Sequence, residues 1–259
     1  MANKEGILQQ KKERLGEMKI NKWNEKMTII EYNGVRNITI KFEDGTIKKC
    51  KYGNFKNGCV DNPNRNTIYN IACIGDGVYK SHINGKRTKS FDTWHDMIRR
   101  CYSRKSLENR PTYKDKLVYE EWLNFQNFSK WFDENYYEIE NDKMCLDKDI
   151  LFKDNNIYSP DTCIFVPNRI NILFTKRQNK RGKLPIGVTC NKVTKKYKAN
   201  CSTINSQKYL GTFNTPEEAF NSYKTFKENY IKQVADEYKD KIPKKLYDAM
   251  YKYEVDITD

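Results

Sequence analysis

The 259-residue chain has only two histidines, His82 and His95, and that scarcity narrows its chemistry before any motif is considered. Eight cysteines are present (Cys50, Cys59, Cys73, Cys101, Cys145, Cys163, Cys190 and Cys201), yet no two form a CxxC pair. A zinc site would lack its usual ligand spacing, and a disulfide framework is out of character for an unsecreted chain of this length. Free, mostly buried thiols are expected instead. No apolar run approaches the roughly 20 residues of a membrane span. The opening MANKEGILQQKKERLGEMK also lacks the apolar stretch of a secretory signal. Only 37% of residues are hydrophobic, but 13% are aromatic, which excludes a disordered chain. The composition predicts a soluble, folded protein of the cell interior, with one large domain or two to three small ones.

A second absence is sharper. Residues 162–216 contain no carboxylate, while they carry Arg169, Lys176, Arg177, Lys180, Arg181, Lys183, Lys192, Lys195, Lys196, Lys198 and Lys208. The rest of the +14 net charge sits mostly in residues 1–114, with 24 basic against 12 acidic side chains. Residues 115–161 reverse the sign, with 5 against 12. Ordinary solvated surface mixes both signs. A one-signed stretch fits a polyanion, because each cation set on a phosphate releases a counterion. A membrane surface is disfavoured, since Gly182, Pro185 and Gly187 interrupt any amphipathic helix there.

Three segments follow from the patterning: 1–66, 67–175 and 176–259. In the first, MTIIEY and NITIKFEDGTIKKCKY alternate with period two around Asp44-Gly45, a two-residue hairpin signal. A small β-barrel or meander is expected, with turn-rich DNPNRN (61–66) closing it. The second contains SFDTWHDMIRRCY (90–102), a helix with Phe91, Trp94, Met97, Ile98 and Cys101 on one face and Ser90 or Asp92 as its cap. Arg99 and Arg100 lie on that helix within reach of phosphate. An aromatic helix over 119–137 follows, then strand, polar loop, strand and short helix over 145–174. The third gives three short strands over 186–213. A helix is then marked by Thr215 as N-cap, Pro216 at its first position and Glu218 completing a capping box. The fold class expected is α+β.

The 145–174 segment, with Asp147 ending its first strand and Asn171 on its helix, resembles the HNH, or ββα-metal, endonucleases. TWHDMIRRCY, YEEWLNFQNFSKW, LDKDI, YSPDTC and VPNRIN together resemble the phage-borne homing endonucleases of that family over residues 88–174. The resemblance implies one Mg2+ or Mn2+ on Asp147 and Asn171, with no zinc, and phosphodiester hydrolysis of double-stranded DNA. It also places the general-base histidine at Lys148 and the loop asparagine at Thr162, and both are departures. A lysine of ordinary pKa is protonated at neutral pH and cannot act as a base. His95 is the replacement that the sequence offers.

IGV (186–188), KKYKA (195–199), YLGTF (209–213) and TPEEAFNSY (215–223) resemble the Apetala-type DNA-binding domain of ethylene-response factors. That family lays a three-stranded sheet in the major groove, backed by a helix. The resemblance puts Tyr197 where the family has Trp, and Thr189, Asn191, Asn200 and Ser202 where it often has Arg. Lys192, Lys195, Lys196, Lys198 and Lys208 then meet phosphate, as do Arg169, Lys176, Arg177, Lys180 and Arg181 of the basic run. Three expectations stand side by side. The leading one is a DNA endonuclease or nickase, located in the cytoplasm (the host's, if phage-encoded). The second is a catalytically inactive DNA-binding protein on a retired nuclease scaffold, and the weaker third is an RNA-binding protein.

Overall fold

A computed structural model describes residues 2–175, 184–204 and 206–258. Its elements are α1 (Ala2–Arg14), β1 (Met18–Ile20), β2 (Lys26–Tyr32), β3 (Ile38–Phe42), β4 (Ile47–Cys50), α2 (Tyr52–Lys56), β5 (His82–Ile83), β6 (Lys86–Arg87), α3 (Lys89–Tyr102), α4 (Arg104–Asn109), β7 (Leu117–Val118), α5 (Phe125–Asn135), β8 (Met144–Asp147), β9 (Ile157–Tyr158), β10 (Ile164–Pro167), α6 (Asn168–Leu173), β11 (Val188–Cys190), β12 (Tyr197–Ser202), β13 (Gln207–Phe213), α7 (Pro216–Tyr238) and α8 (Lys244–Tyr251). The class is α+β. Among the described residues no helix is long and apolar enough to cross a membrane. The chain divides into two compact units, Met1–Pro111 with Glu120–Lys130, and Thr112–Tyr119 with Trp131–Asp259.

The first unit holds an antiparallel four-stranded meander in the order β1-β2-β3-β4, not a closed barrel. Alternation puts Met27, Ile29, Ile38, Ile40 and Phe42 into its core, where Phe55 and Val60 cover them. The β3–β4 turn is one residue longer than a two-residue hairpin. Phe42 donates to the Thr46 carbonyl, and Gly45 adopts φ +90° at the end of the loop. DNPNRN lies inside this unit, where the buried Asn62 amide donates to Glu25 and Asp44. Helix α3 buries the five residues that its periodicity selects, and the Trp94 indole donates to the Trp122 carbonyl at 2.7 Å. Its cap is Thr88, not Ser90 or Asp92: the Thr88 hydroxyl accepts from the Phe91 amide. The aromatic stretch after Tyr119 is a 3-10 turn over Glu120–Leu123 followed by α5, not one helix.

The second unit is organised by α7. The helix starts as expected, with a complete capping box between Thr215 and Glu218 behind Pro216. Its first turns bury Ala219, Phe220 and Tyr223 against Val188, Ala199 and Cys201 of the antiparallel sheet β11-β12-β13. Its last turns bury Ile231, Val234, Ala235 and Tyr238 against Ile150, Ile164, Val166, Ile170 and Leu173, with Leu246 and Met250 of α8. One helix therefore serves two cores. The sheet sits close to it because residue 187 is glycine. At φ +78°, a Cβ there would lie 2.1 Å from the Tyr223 ring.

Candidate functional site

Strands β8 and β10 pair antiparallel, with Asp147 opposite Ile164 and Met144 opposite Pro167, and α6 follows β10 directly. The Asn168 amide donates to the Lys143 carbonyl at 2.7 Å, and α6 packs on both strands. Asp147 and Asn171 thus belong to one strand–loop–strand–helix. Asp147 is half-buried, and its Oδ1 accepts from the amides of Asp149 and Ile150, each at 2.8 Å. Burial raises its pKa above the usual carboxylate range, against the lowering effect of those two donors. Its Oδ2, like the Asn171 side chain, makes no hydrogen bond with the described residues.

Lys148 does not face outward. It is 3% exposed, and its Nζ donates to Asp149 Oδ1 at 2.6 Å and to the Asn155 carbonyl at 2.7 Å. Asn155 in turn donates to the carbonyls of Lys148 and Ile157, which ties both ends of the loop together. Thr162, at the expected loop-asparagine position, is also structural. Its hydroxyl donates to the Ile157 carbonyl at 2.8 Å and lies 2.9 Å from Ser159 Oγ. The neighbouring Cys163 thiol is buried and its pKa is pushed up to about 12. The position expected to hold a general-base histidine therefore carries a buried, bonded lysine.

His95 belongs to the first unit, as does His82, so the unit containing Asp147 has no histidine. The His95 ring lies against Tyr69 and Phe91, and burial followed by the charges of Arg87 and Arg99 lowers its pKa. No set of three His, Cys, Asp or Glu side chains suited to a metal occurs among the described residues. Asp147 and Asn171 supply two oxygen donors at most, so a magnesium ion held there would draw its other ligands from water and phosphate.

The three-stranded sheet has one face on α7 and one in solvent. Register places Thr189, Lys198 and Thr212 side by side on the solvent face, then Asn200 beside Tyr209 and Ser202 beside Gln207. None is a carboxylate. The Tyr209 hydroxyl lies 2.7 Å from that of Thr212. Lys192, Lys195 and Lys196 are exposed on the β11–β12 turn, which Asn191 shapes by accepting from the amides of Val193 and Thr194. Two expected contacts leave β12 and β13 on the opposite face. Tyr197 shares its face with Ala199 and Cys201 and packs on the core beneath the sheet. Lys208 is opposite Cys201, so it leaves the strand on the α7 side of the sheet, where it is nonetheless exposed. Gln207, Tyr209 and Thr212 were not among the expected residues, although alternation along β13 points to them.

Arg169 is exposed, with its charge near the Tyr238 hydroxyl, which donates to Asp142 at 2.7 Å. Arg99, in the first unit, pairs with Asp96 at 2.9 Å, and Arg100 is half-buried. Lys176, Arg177, Lys180 and Arg181 lie outside the described residues. Comparison with protein-family models, with curated proteins and with solved structures finds no match to this chain.

Proposed function

We propose that this protein binds duplex DNA through the solvent face of its three-stranded sheet. The observation that supports this most is a face of hydroxyls, amides and one lysine, rimmed by the turn lysines and lacking any acid. Amide and hydroxyl side chains on strands can meet base edges, while lysines meet phosphate, which positions a protein without specifying sequence. Few cations stand on the face itself, so moderate sequence preference over a salt-sensitive background is the expected behaviour. The test is fluorescence anisotropy of a labelled duplex across a salt series. Replacing Lys192, Lys195 and Lys196 by Gln should reduce the slope of log K against log salt by roughly 0.9 for each phosphate that a lysine had neutralised. An unchanged slope removes the sheet from the interface.

A second reading, phosphodiester hydrolysis, is supported by the strand–loop–strand–helix that carries Asp147 and Asn171, in the pattern of the HNH homing endonucleases. Asp147 Oδ2 and the Asn171 amide oxygen would hold the divalent ion, which would offset charge on a bound phosphate. The bonded Lys148 is unfit as a base, and that is why DNA binding ranks above cutting. Supercoiled plasmid incubated with magnesium or manganese separates the two. Nicking that disappears in Asp147→Ala supports the nuclease. Its absence in both the natural protein and Lys148→His, with duplex binding intact, leaves a DNA-binding protein on a retired nuclease scaffold.

A further inference from the structure

The first unit contains a cleft of about 460 Å³ beside β4, one of the two edge strands of the meander. Four cations line it from two segments: Arg36 from the β2–β3 turn, and Lys48, Lys49 and Lys51 from the run through β4 to the start of α2. Lysines on an edge strand usually serve to deter pairing with another sheet edge. That accounts for Lys49. It does not account for Arg36, which comes from another segment to the same hollow. Holding like charges together is unfavourable unless an anion joins them.

The charge is not cancelled locally. Asp61 is the one carboxylate in the lining, and its Oδ1 already accepts from Arg65 Nη2 at 2.9 Å and Nε at 3.2 Å. Its backbone carbonyl fixes the Lys48 ammonium at 2.7 Å. Arg36, Lys49 and Lys51 pair with no carboxylate among the described residues and are exposed. Alongside Val60, the cleft offers the amides of Asn37 and Asn54 and the ammonium groups of its lysines, which suit phosphate oxygens. We infer that this cleft binds backbone phosphates of DNA, as a contact surface separate from the sheet. The inference rests on the DNA-binding reading above and adds a second surface to it.

Cys59 is exposed and lines the same cleft, so its thiol reports occupancy directly. The experiment measures alkylation of each cysteine by iodoacetamide, read by mass spectrometry on the intact chain, with and without a duplex. Saturating duplex at low salt should slow Cys59 by about tenfold or more, and protection should vanish as salt dissociates the complex. The triple variant Arg36→Gln, Lys49→Gln, Lys51→Gln, checked for an unchanged circular dichroism spectrum, should lose that protection and flatten the salt slope by about 2 to 3. If the duplex binds but Cys59 reacts at its free rate, the cleft is overturned and the sheet reading survives. If no duplex binds at all, both fall. If millimolar inorganic phosphate or a free nucleotide protects Cys59 as well as the duplex does, the site belongs to a small phosphate ligand and the inference is overturned.

Discussion

Replacing Lys148 by methionine tests whether the loop after β8 is held by a cation rather than prepared for catalysis. Methionine keeps most of the buried stem and removes the Nζ, with its bonds to Asp149 at 2.6 Å and to the Asn155 carbonyl at 2.7 Å. Hydrogen bonds involving a charged group are worth about 1.5–3 kcal/mol each. The full sum is not forfeited, for two reasons. The Asp149 side chain is 54% exposed and returns to water, and the Asn155 carbonyl retains the Lys116 Nζ at 3.4 Å. Relief from burying an ammonium offsets part of the remainder. The expected cost is therefore about 1–2 kcal/mol. Lys148→Ala should cost about 2 kcal/mol more, because some three further methylenes leave a buried position at roughly 0.8 kcal/mol each. Urea unfolding followed by circular dichroism gives the magnitude. Hydrogen exchange at the Ile150 amide, which donates to Asp147, reports the loop itself. A methionine variant as stable as the natural chain, with unchanged exchange at Ile150, would refute the idea that the lysine organises this loop.

Other outcomes follow from single residues. Gly187→Ala should destabilise by about 2–4 kcal/mol in urea unfolding, since it meets both positive φ and the Tyr223 ring 2.1 Å away; a change under half that would mean that the ring yields easily. Lys227 is 7% exposed on α7 with no hydrogen-bond or ion-pair partner among the described residues, and burial lowers its pKa. Lys227→Met should raise stability at pH 7 by about 1–2 kcal/mol, and a decrease would show that the ammonium is satisfied. The lowered pKa of His95 means that the folded state favours the neutral ring. Its contribution is present above the unfolded value near 6.5 and is lost as pH falls towards the folded one. Proton NMR should find His95 titrating below the ordinary histidine value near 6.5, and His95→Gln should flatten the acid limb of stability; titration at or above that value would contradict the burial.

The sequence made some of this plain because local rules and packing agree there. Thr215, Pro216 and Glu218 mark the start of α7 with chemistry that tertiary contacts need not supply. Period-two alternation likewise sorted Ile38, Ile40 and Phe42 from Thr39 and Lys41, although Thr39 is itself buried and bonded to Glu31. What stayed hidden depends on distant partners. Between two aspartates, Lys148 reads as a surface ion pair, and only Asn155 and Tyr158 reveal that it points inward. The faces of Tyr197 and Lys208 needed strand register, complicated by the irregularity between Ala199 and Asn200. Arg36, Lys49 and Lys51 are unremarkable in a lysine-rich chain until the fold gathers them around one cleft.

The charge pattern alone suggests separating a DNA-reading segment by cutting near Arg181, and α7 argues that this cut would fail. Of the buried residues in the core under β8 and β10, Ile231, Val234, Ala235, Tyr238, Ile242, Leu246 and Met250 all come from beyond that point. Burying each large aliphatic side chain contributes about 1.5–3 kcal/mol. Four or five of them match the whole stability of a typical domain, about 5–15 kcal/mol. A chain ending at residue 181 should therefore expose Ile164, Val166 and Ile170, bind a hydrophobic dye and lose protection at the Ile150 amide. The loss of duplex binding in such a truncation would then report unfolding as much as a missing interface. If that chain instead keeps slow exchange along β8 and β10, the ββα core is self-sufficient, and α7 is a backing helix for the sheet alone.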